Sequence, residues 1–157
     1  MSQRFDLREL IRLAVVDERS GAELYERLAG QVRAPGLADR FRAIAEQERR
    51  HERRFTRMLD ELGDAPPEHS YPDEYVAYLE ALVAEGRWRE SPVSRQTRDD
   101  AEAIAVAVAI ERNQLGLLNE IAETLAEKDH RLVKDIIAEE RRHLVDLAAA
   151  RRELPPA

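Results

Sequence analysis

Four long segments of the 157-residue chain carry apolar side chains at intervals of three and four residues, which is the spacing of one face of an α-helix. They span residues 6–31, 37–62, 98–127 and 130–152. Pro35 and Gly36 interrupt the pattern between the first two segments, as these residue types do in turns. The sequence therefore predicts an all-α protein built on four long helices.

The connections between these segments predict how the helices pack. Short loops join the first segment to the second and the third to the fourth, so each pair is expected to form an antiparallel hairpin. The middle connection, residues 64–97, is long enough to cross the bundle from end to end, and we expect Trp88 within it to pack as a lid. Apolar residues predict a short amphipathic helix in this crossover: Tyr75, Tyr78, Leu79, Leu82 and Val83. Two hairpins and one long crossover make a ferritin-like four-helix bundle.

Composition excludes several classes of function. The net charge is −7 and no basic stretch exceeds a few residues, which argues against nucleic acid as a partner. The chain has no cysteine, so disulfides, thiolate metal sites and cysteine nucleophiles are excluded. We find no secretory signal and no apolar run of the ~18 residues that a membrane span needs. The sequence predicts a cytoplasmic protein with a single domain over residues 1–157.

The tetrapeptide Glu-Arg-Arg-His occurs twice in the chain, first as residues 48–51 and again as residues 140–143. Side chains three residues apart project from the same face of a helix, so Glu48 lies beside His51 and Glu140 beside His143. All four fall in register with the apolar stripes of their helices. Polar side chains are therefore expected to face the interior of the bundle.

The other two long helices each carry one glutamate on the apolar stripe, Glu18 in the first and Glu111 in the third. Glu18 precedes Glu48 by nearly the same interval as Glu111 precedes Glu140. Each half of the chain therefore reads as a helix with one inward glutamate, followed by a helix with inward Glu-x-x-His. This pattern indicates an internal duplication of a helical hairpin.

Four carboxylates in one apolar interior repel each other, and each buried ion costs several kcal/mol unless it is compensated. Two divalent cations would neutralise them, and carboxylate oxygens with imidazole nitrogens suit iron or manganese. One Glu from each of two helices plus Glu-x-x-His from each of the other two is the ligand set of di-iron carboxylate bundles. We predict two iron ions, with manganese or zinc as substitutes, and six ligands: Glu18, Glu48, His51, Glu111, Glu140 and His143.

Some neighbouring residues have two readings. Asp17 either orients a histidine ring from outside the ligands or lies on the surface, and Tyr25 either forms a hydrogen bond near the metals or belongs to the core. A third Glu-x-x-His match, Glu127 with His130, lies off the apolar stripe and is expected to be solvated or to cap a helix. His69 lies in a proline-rich stretch and is given no role.

Four segments of the chain resemble the rubrerythrin branch of the ferritin-like superfamily: VVDERSGAELY, EQERRHERRF, AIERNQ and EERRHLVDL. The resemblance extends from about residue 5 to residue 150. It implies that the six residues are ligands of two irons, that the chemistry involves peroxide or dioxygen, and that the protein forms homodimers or larger homo-oligomers.

The chain departs from this family in two ways. Typical members carry a rubredoxin domain with four cysteines that feeds electrons to the site, and no such domain is found in these 157 residues. Members also carry an extra ligand glutamate three residues after the third-helix glutamate, where this chain has Gln114. An amide binds metal poorly, so we predict the simpler site of four glutamates and two histidines, with Gln114 beside it.

Three hypotheses for function follow from these residues. The first is a di-iron oxidoreductase that reduces H2O2 or O2 and takes its electrons from an external donor. The second is a ferroxidase or iron-handling protein of ferritin type, in which the iron itself is the substrate. The third is a non-catalytic helical interaction module whose inward polar residues pair with each other.

Overall fold

The computed structural model describes residues 7–63, 72–86, 96–125 and 127–155. His69 and Trp88 lie outside these ranges. All regular secondary structure in the described part of the chain is helical, which confirms the predicted fold class. The five helices are α1 (Leu7–Ala29), α2 (Leu37–Leu62), α3 (Asp73–Gly86), α4 (Asp100–Thr124) and α5 (Glu127–Glu153).

Several helix boundaries differ from the predicted ones, most of all those of the third and fourth long helices. The third segment was expected to start at residue 98, but α4 starts at Asp100 because the side chain of Asp99 accepts a hydrogen bond of 2.8 Å from the backbone N–H of Glu102. It ends at Thr124, after which Leu125 is extended (φ −79°, ψ 145°). Helix α5 then begins at residue 127 rather than 130. Its first turn is polar and adds nothing to the apolar stripe, so the periodic pattern does not reveal it.

The helices pack as two hairpins joined by a crossover, as the connection lengths predicted. Contacts are most extensive between α1 and α2 and then between α4 and α5. The hairpins meet through α1 with α4 and through α2 with α5, while α3, the crossover helix, packs on α4. The hydroxyls of Tyr75 and Tyr78 in α3 donate hydrogen bonds of 2.7 and 3.0 Å to Glu120 in α4. Leu79, from the predicted apolar face of α3, is fully buried.

The loop between α1 and α2 is tied to the start of α4. The carboxylate of Asp100 accepts hydrogen bonds from the backbone N–H groups of Arg33 and Ala34, at 2.9 and 2.7 Å. Gly36, the residue before α2, has a φ of 78°, a left-handed conformation that glycine adopts without a steric penalty. These contacts fix the end of one hairpin against the other.

Buried apolar residues form two separate layers along the bundle. One layer includes Leu24, Phe41, Ile104 and Leu147. The other includes Leu10, Phe55, Leu118, Val133 and Ile136. In all four long helices, the inward glutamates and histidines come between the residues of one layer and those of the other. The interior of the bundle is therefore apolar at both ends and polar in the middle.

None of the described helices combines the length and the apolar character that crossing a membrane requires.

Asp100→Ala should lower the free energy of unfolding by about 1–2 kcal/mol, because two backbone N–H groups lose a charged acceptor. Urea denaturation would measure this. Asp39→Ala is the matched control: Asp39 is also in the first turn of a helix, but its side chain forms an exposed ion pair with Arg42. That change should cost less than about 0.5 kcal/mol. Equal losses for the two variants would contradict the role given to Asp100.

Candidate metal centre

The six residues predicted as metal ligands lie together in the polar middle of the bundle. Each long helix contributes at least one of them. Each is no more than 1% exposed: Glu18, Glu48, His51, Glu111, Glu140 and His143. Burial of this kind is rare for carboxylates, which are almost never fully buried unless they are paired or bind a metal.

These residues form two overlapping clusters. The first cluster contains Glu18 and His51, and the second contains Glu111 and His143. Glu48 and Glu140 belong to both clusters. Within each cluster, one potential ligand atom from each residue lies within 4.8 Å of all the others. Two cation sites that share two carboxylates are therefore what this geometry can form.

Both histidine rings turn the same nitrogen toward the carboxylates. Nδ1 of His51 lies 2.6 Å from an oxygen of Glu140 and 3.4 Å from Glu18. Nδ1 of His143 lies 2.9 Å from Glu140 and 3.4 Å from Glu111. The two rings stack against each other with their centroids 6.2 Å apart. Nδ1 is thus the nitrogen that each ring offers to the centre.

The outer nitrogen of each ring is held by a residue that the sequence analysis missed. Nε2 of His51 lies 2.9 Å from the carboxylate of Glu139, and Nε2 of His143 lies 3.1 Å from the amide oxygen of Gln47. Both acceptors favour a proton on Nε2, which leaves the lone pair of Nδ1 free for a metal. The available signal was position: each acceptor directly precedes an inward glutamate, although this places it beside the apolar stripe rather than on it.

Tyr25 and Gln114 also contact the carboxylates directly. The fully buried hydroxyl of Tyr25 donates a hydrogen bond to Glu111, and its ring packs on Phe41, so both readings of Tyr25 hold at once. Nε2 of Gln114, also buried, donates a hydrogen bond of 2.5 Å to Oε2 of Glu48. Gln114 therefore fixes one of the two shared carboxylates.

Gly21 provides the space that Glu48 and Gln114 occupy. A Cβ atom at this position would lie 2.5 Å from Oε2 of Glu48 and 3.1 Å from Nε2 of Gln114. Any larger side chain would displace the shared carboxylate. Asp17, on the preceding turn of α1, is partly buried and its negative charge acts on Glu18.

Burial shifts the protonation of the glutamates. It raises the pKa of Glu18 and of Glu48 well above 4.5, and the charge of Glu140 adds to the effect. Burial also raises the pKa of Glu111, to about 7, even though His143 acts in the opposite direction. Crowded carboxylates without cations thus retain protons in order to reduce their mutual repulsion.

The pKa values of the two histidines and of Glu140 shift in the directions expected for ion pairs. Burial alone would lower the pKa of His143, but Glu111 and Glu140 outweigh it and raise the value to about 10. The pKa of His51 is raised in the same way, chiefly by Glu140. Burial alone would raise the pKa of Glu140, but the imidazoles of His143 and His51 beside it outweigh burial and lower the value to about 2.

The donor atoms fit a pair of metal ions. Among the described residues, one side-chain atom of each of five residues in the clusters is buried without a hydrogen-bond partner: Glu18 Oε2, Glu48 Oε1, His51 Nδ1, Glu111 Oε2 and Glu140 Oε1. A buried polar atom left in this state costs about 1–3 kcal/mol. Cations at the two clusters would satisfy these atoms, and a donor set of oxygen and imidazole nitrogen suits iron and manganese.

The third Glu-x-x-His match stays apart from this centre. His130 lies in the first turn of α5, at the end of the bundle, and belongs to neither cluster. The side chain of Glu127 lies outside the described part of the structure. A histidine three residues after a glutamate is therefore not sufficient, and the register with the apolar stripe decides which pairs face inward.

Metal-free protein should become less stable as the pH rises from about 5 to about 9. The pKa of Glu18, Glu48 and His143 is higher in the folded than in the unfolded chain, so the stability they add is present at low pH. It is lost as the pH rises through the folded-state values. Glu140, whose pKa is lowered, acts in the opposite sense only below 4.5. Thermal unfolding of chelator-treated protein across this range would measure the effect.

The double variant Glu18→Gln with Glu48→Gln is the control for this pH dependence. It keeps the shape of both side chains and removes two of the groups whose pKa is raised. Its melting temperature should fall less steeply with pH than that of the unaltered chain. A melting temperature that stays level or rises over this range in the unaltered, metal-free protein would contradict the assigned shifts.

Comparisons with known proteins agree with the fold and with the resemblance seen in the sequence. The chain is similar in structure to a ferritin-like diiron-carboxylate protein from Thermotoga maritima, with a TM-score of 0.71 and 21% identity over 98% of this chain and 99% of that one. At this identity the similarity establishes the fold alone. No curated protein matches the chain significantly. The family model for rubrerythrin matches residues 9–151, and the chain therefore belongs to the rubrerythrin family.

Proposed function

We propose that the protein binds two iron ions in the two buried clusters and uses them to reduce peroxide or dioxygen. The observation that carries this proposal is the pair of glutamates, Glu48 and Glu140, that belong to both clusters at once. Carboxylates in this arrangement can bridge two cations, while each cluster keeps one further glutamate and one histidine of its own. Membership of the rubrerythrin family and a ferritin-like fold support the same assignment.

Charge balance supports two divalent ions rather than one. The four glutamates of the site carry four negative charges when ionised, and no lysine or arginine is among the buried polar residues of the described chain. Two divalent cations neutralise this charge, whereas one would leave an uncompensated pair of carboxylates in an apolar interior. Glu18 and His51 would hold one ion and Glu111 and His143 the other, with Glu48 and Glu140 shared.

Bound in the ferrous state, two irons would supply the two electrons that, with two protons from solvent, convert one H2O2 to two waters. The protein provides the surroundings for this chemistry. The two apolar layers exclude bulk water from both ends of the site. Tyr25 retains its proton at neutral pH because burial and the charge of Glu111 raise the pKa of its hydroxyl, so it keeps donating to that carboxylate.

We propose that an external donor restores the electrons. The 157 residues contain no cysteine, so a cysteine-bound redox centre within them is excluded and the proposed donor is external. Homodimers or larger homo-oligomers and a cytoplasmic location stay predictions. Iron handling of the ferritin type would use the same ligands. It differs from reduction of peroxide in that iron accumulates and peroxide is not consumed catalytically.

The non-catalytic alternative is less well supported. It requires the inward polar side chains to satisfy one another, as they would in a purely structural polar layer. Five buried donor or acceptor atoms of the clusters have no hydrogen-bond partner among the described residues, and all belong to predicted ligands. The pair of His51 Nδ1 and Glu140 Oε1, 2.6 Å apart, offsets part of this burial, and bound cations would satisfy all five atoms.

Purified, iron-loaded protein should contain about two ions per chain, and Glu140→Ala should lower this below about one because both clusters lose a shared ligand. His143→Ala should affect mainly one ion. His130→Ala is the matched control, since this histidine lies on the same helix but outside both clusters, and it should retain the full content. Elemental analysis measures all three. Unchanged metal in Glu140→Ala would contradict the ligand assignment.

Repeated turnover distinguishes reduction of peroxide from iron handling. Protein loaded with limiting Fe²⁺ and given H2O2 and an artificial reductant should consume many equivalents of peroxide without accumulating iron. His51→Ala and His143→Ala should each lower the rate by at least about tenfold. Retention of hundreds of irons per assembly, with no catalytic consumption of peroxide, would instead support iron handling and contradict the proposed reductase.

A further inference from the structure

The ligands of the two halves correspond closely, but the residues around them do not. Glu18, Glu48 and His51 in the first half match Glu111, Glu140 and His143 in the second. Gln114, matched by Gly21 in the first half, donates a hydrogen bond to the shared Glu48. At three further positions the two halves differ in charge or in hydrogen bonding beside ligands that are not shared. These pairs are Asp17 with Ile110, Tyr25 with Leu118, and Gln47 with Glu139.

The first difference concerns the residues that contact the outer nitrogen, Nε2, of each histidine. His51 is held at Nε2 by the carboxylate of Glu139, which also lies 3.4 Å from Arg54. His143 is held at Nε2 by the neutral amide of Gln47. A carboxylate acceptor draws the Nε2 proton more strongly than an amide does and makes Nδ1 a better donor to a metal. His51 should therefore bind a cation more tightly than His143.

The second difference concerns the glutamates that are not shared. Glu111 accepts a hydrogen bond from the buried hydroxyl of Tyr25, which withdraws electron density from this carboxylate. In the other half of the chain, the matching position is Leu118, which has no hydrogen-bond donor in its side chain. Of the two unshared glutamates, Glu111 therefore donates electron density to a metal less strongly than Glu18 does.

The third difference is a fixed charge. Asp17 is the neighbour of Glu18 in α1 and is partly buried, while the matching residue beside Glu111 is the apolar Ile110. Glu48 and Glu140 belong to both clusters, so the comparison rests on the residues beside the unshared ligands. All three differences consequently add negative charge or donor strength on the side of Glu18 and His51.

We infer that the two clusters fill in a fixed order, with the first divalent cation bound at Glu18 and His51 and a second, weaker one at Glu111 and His143. This inference rests on the proposed metal binding and goes beyond it, because an equal pair of sites would serve that function as well. Glu139 and Gln47 are positioning residues that set the difference. The centre with two ions then assembles only when metal is abundant enough to occupy the weaker cluster.

Stepwise titration of metal-free protein with Co²⁺ under anaerobic conditions, followed by visible absorption and calorimetry, tests this order. Two binding steps should differ by at least about tenfold in dissociation constant. Glu139→Gln keeps the shape and a hydrogen-bond acceptor but removes the charge, and it should weaken the tighter step by about 10- to 100-fold. Crystals grown with one equivalent of Co²⁺ should show anomalous scattering between Glu18 and His51.

Gln47→Glu is the complementary variant, and it should tighten the weaker step, a gain that damage to the fold would not produce. The double variant with Glu139→Gln should narrow the gap between the two constants without closing it, because Tyr25 still contacts Glu111 and Asp17 still lies beside Glu18. Glu46→Gln is the matched control: this glutamate precedes Gln47 in α2 but is exposed and pairs with Arg49 and Arg53. It should leave both constants within about twofold, since exposed charges are screened.

The possible failures are distinguishable. Two ions that bind to the unaltered protein with equal constants would overturn the inferred order while leaving the proposed function intact. A tighter step that is unchanged in Glu139→Gln, or a first ion found at Glu111 and His143, would overturn it as well. Absence of Co²⁺ binding to the unaltered protein would overturn the inference together with the proposed function.

Discussion

The structure depends on compensating the charge of four carboxylates that share one apolar interior. Burial raises the pKa of three of them, Glu18, Glu48 and Glu111, because ionisation among apolar side chains and like charges is unfavourable. In the absence of cations, protons and the two imidazoles supply part of the compensation. Metal ions supply it without protonating the carboxylates, so binding of metal and stability of the fold are expected to be coupled.

The bundle architecture suits this requirement. The polar layer comes at the middle of all four long helices, between two apolar layers that keep water away from it. Gly21 has no side chain, which leaves room for Glu48 to lie against α1. Gln114 in α4 donates a hydrogen bond to the same carboxylate. The folding free energy comes mainly from the apolar layers, which allows the central layer to be optimised for binding rather than for packing.

Sequence reasoning was sufficient for the four long helices and the six inward residues, because all of them follow from the periodic stripes. It failed where the stripe carries no information. The stripe does not predict the first turn of α5, which is polar, and Glu139 and Gln47 lie next to the stripe, where a surface position is the usual outcome. Their role depends on the distance between hairpins, which no pattern within a single helix can report.

The central claim is that bound cations neutralise the buried carboxylates. The most direct measurement is the melting temperature of metal-free protein as Fe²⁺ is added anaerobically at increasing ratios of metal to chain. The account predicts that the melting temperature rises and stops rising at about two ions per chain, since ions that bind only the folded state stabilise it. A melting temperature that does not change with added metal would contradict it.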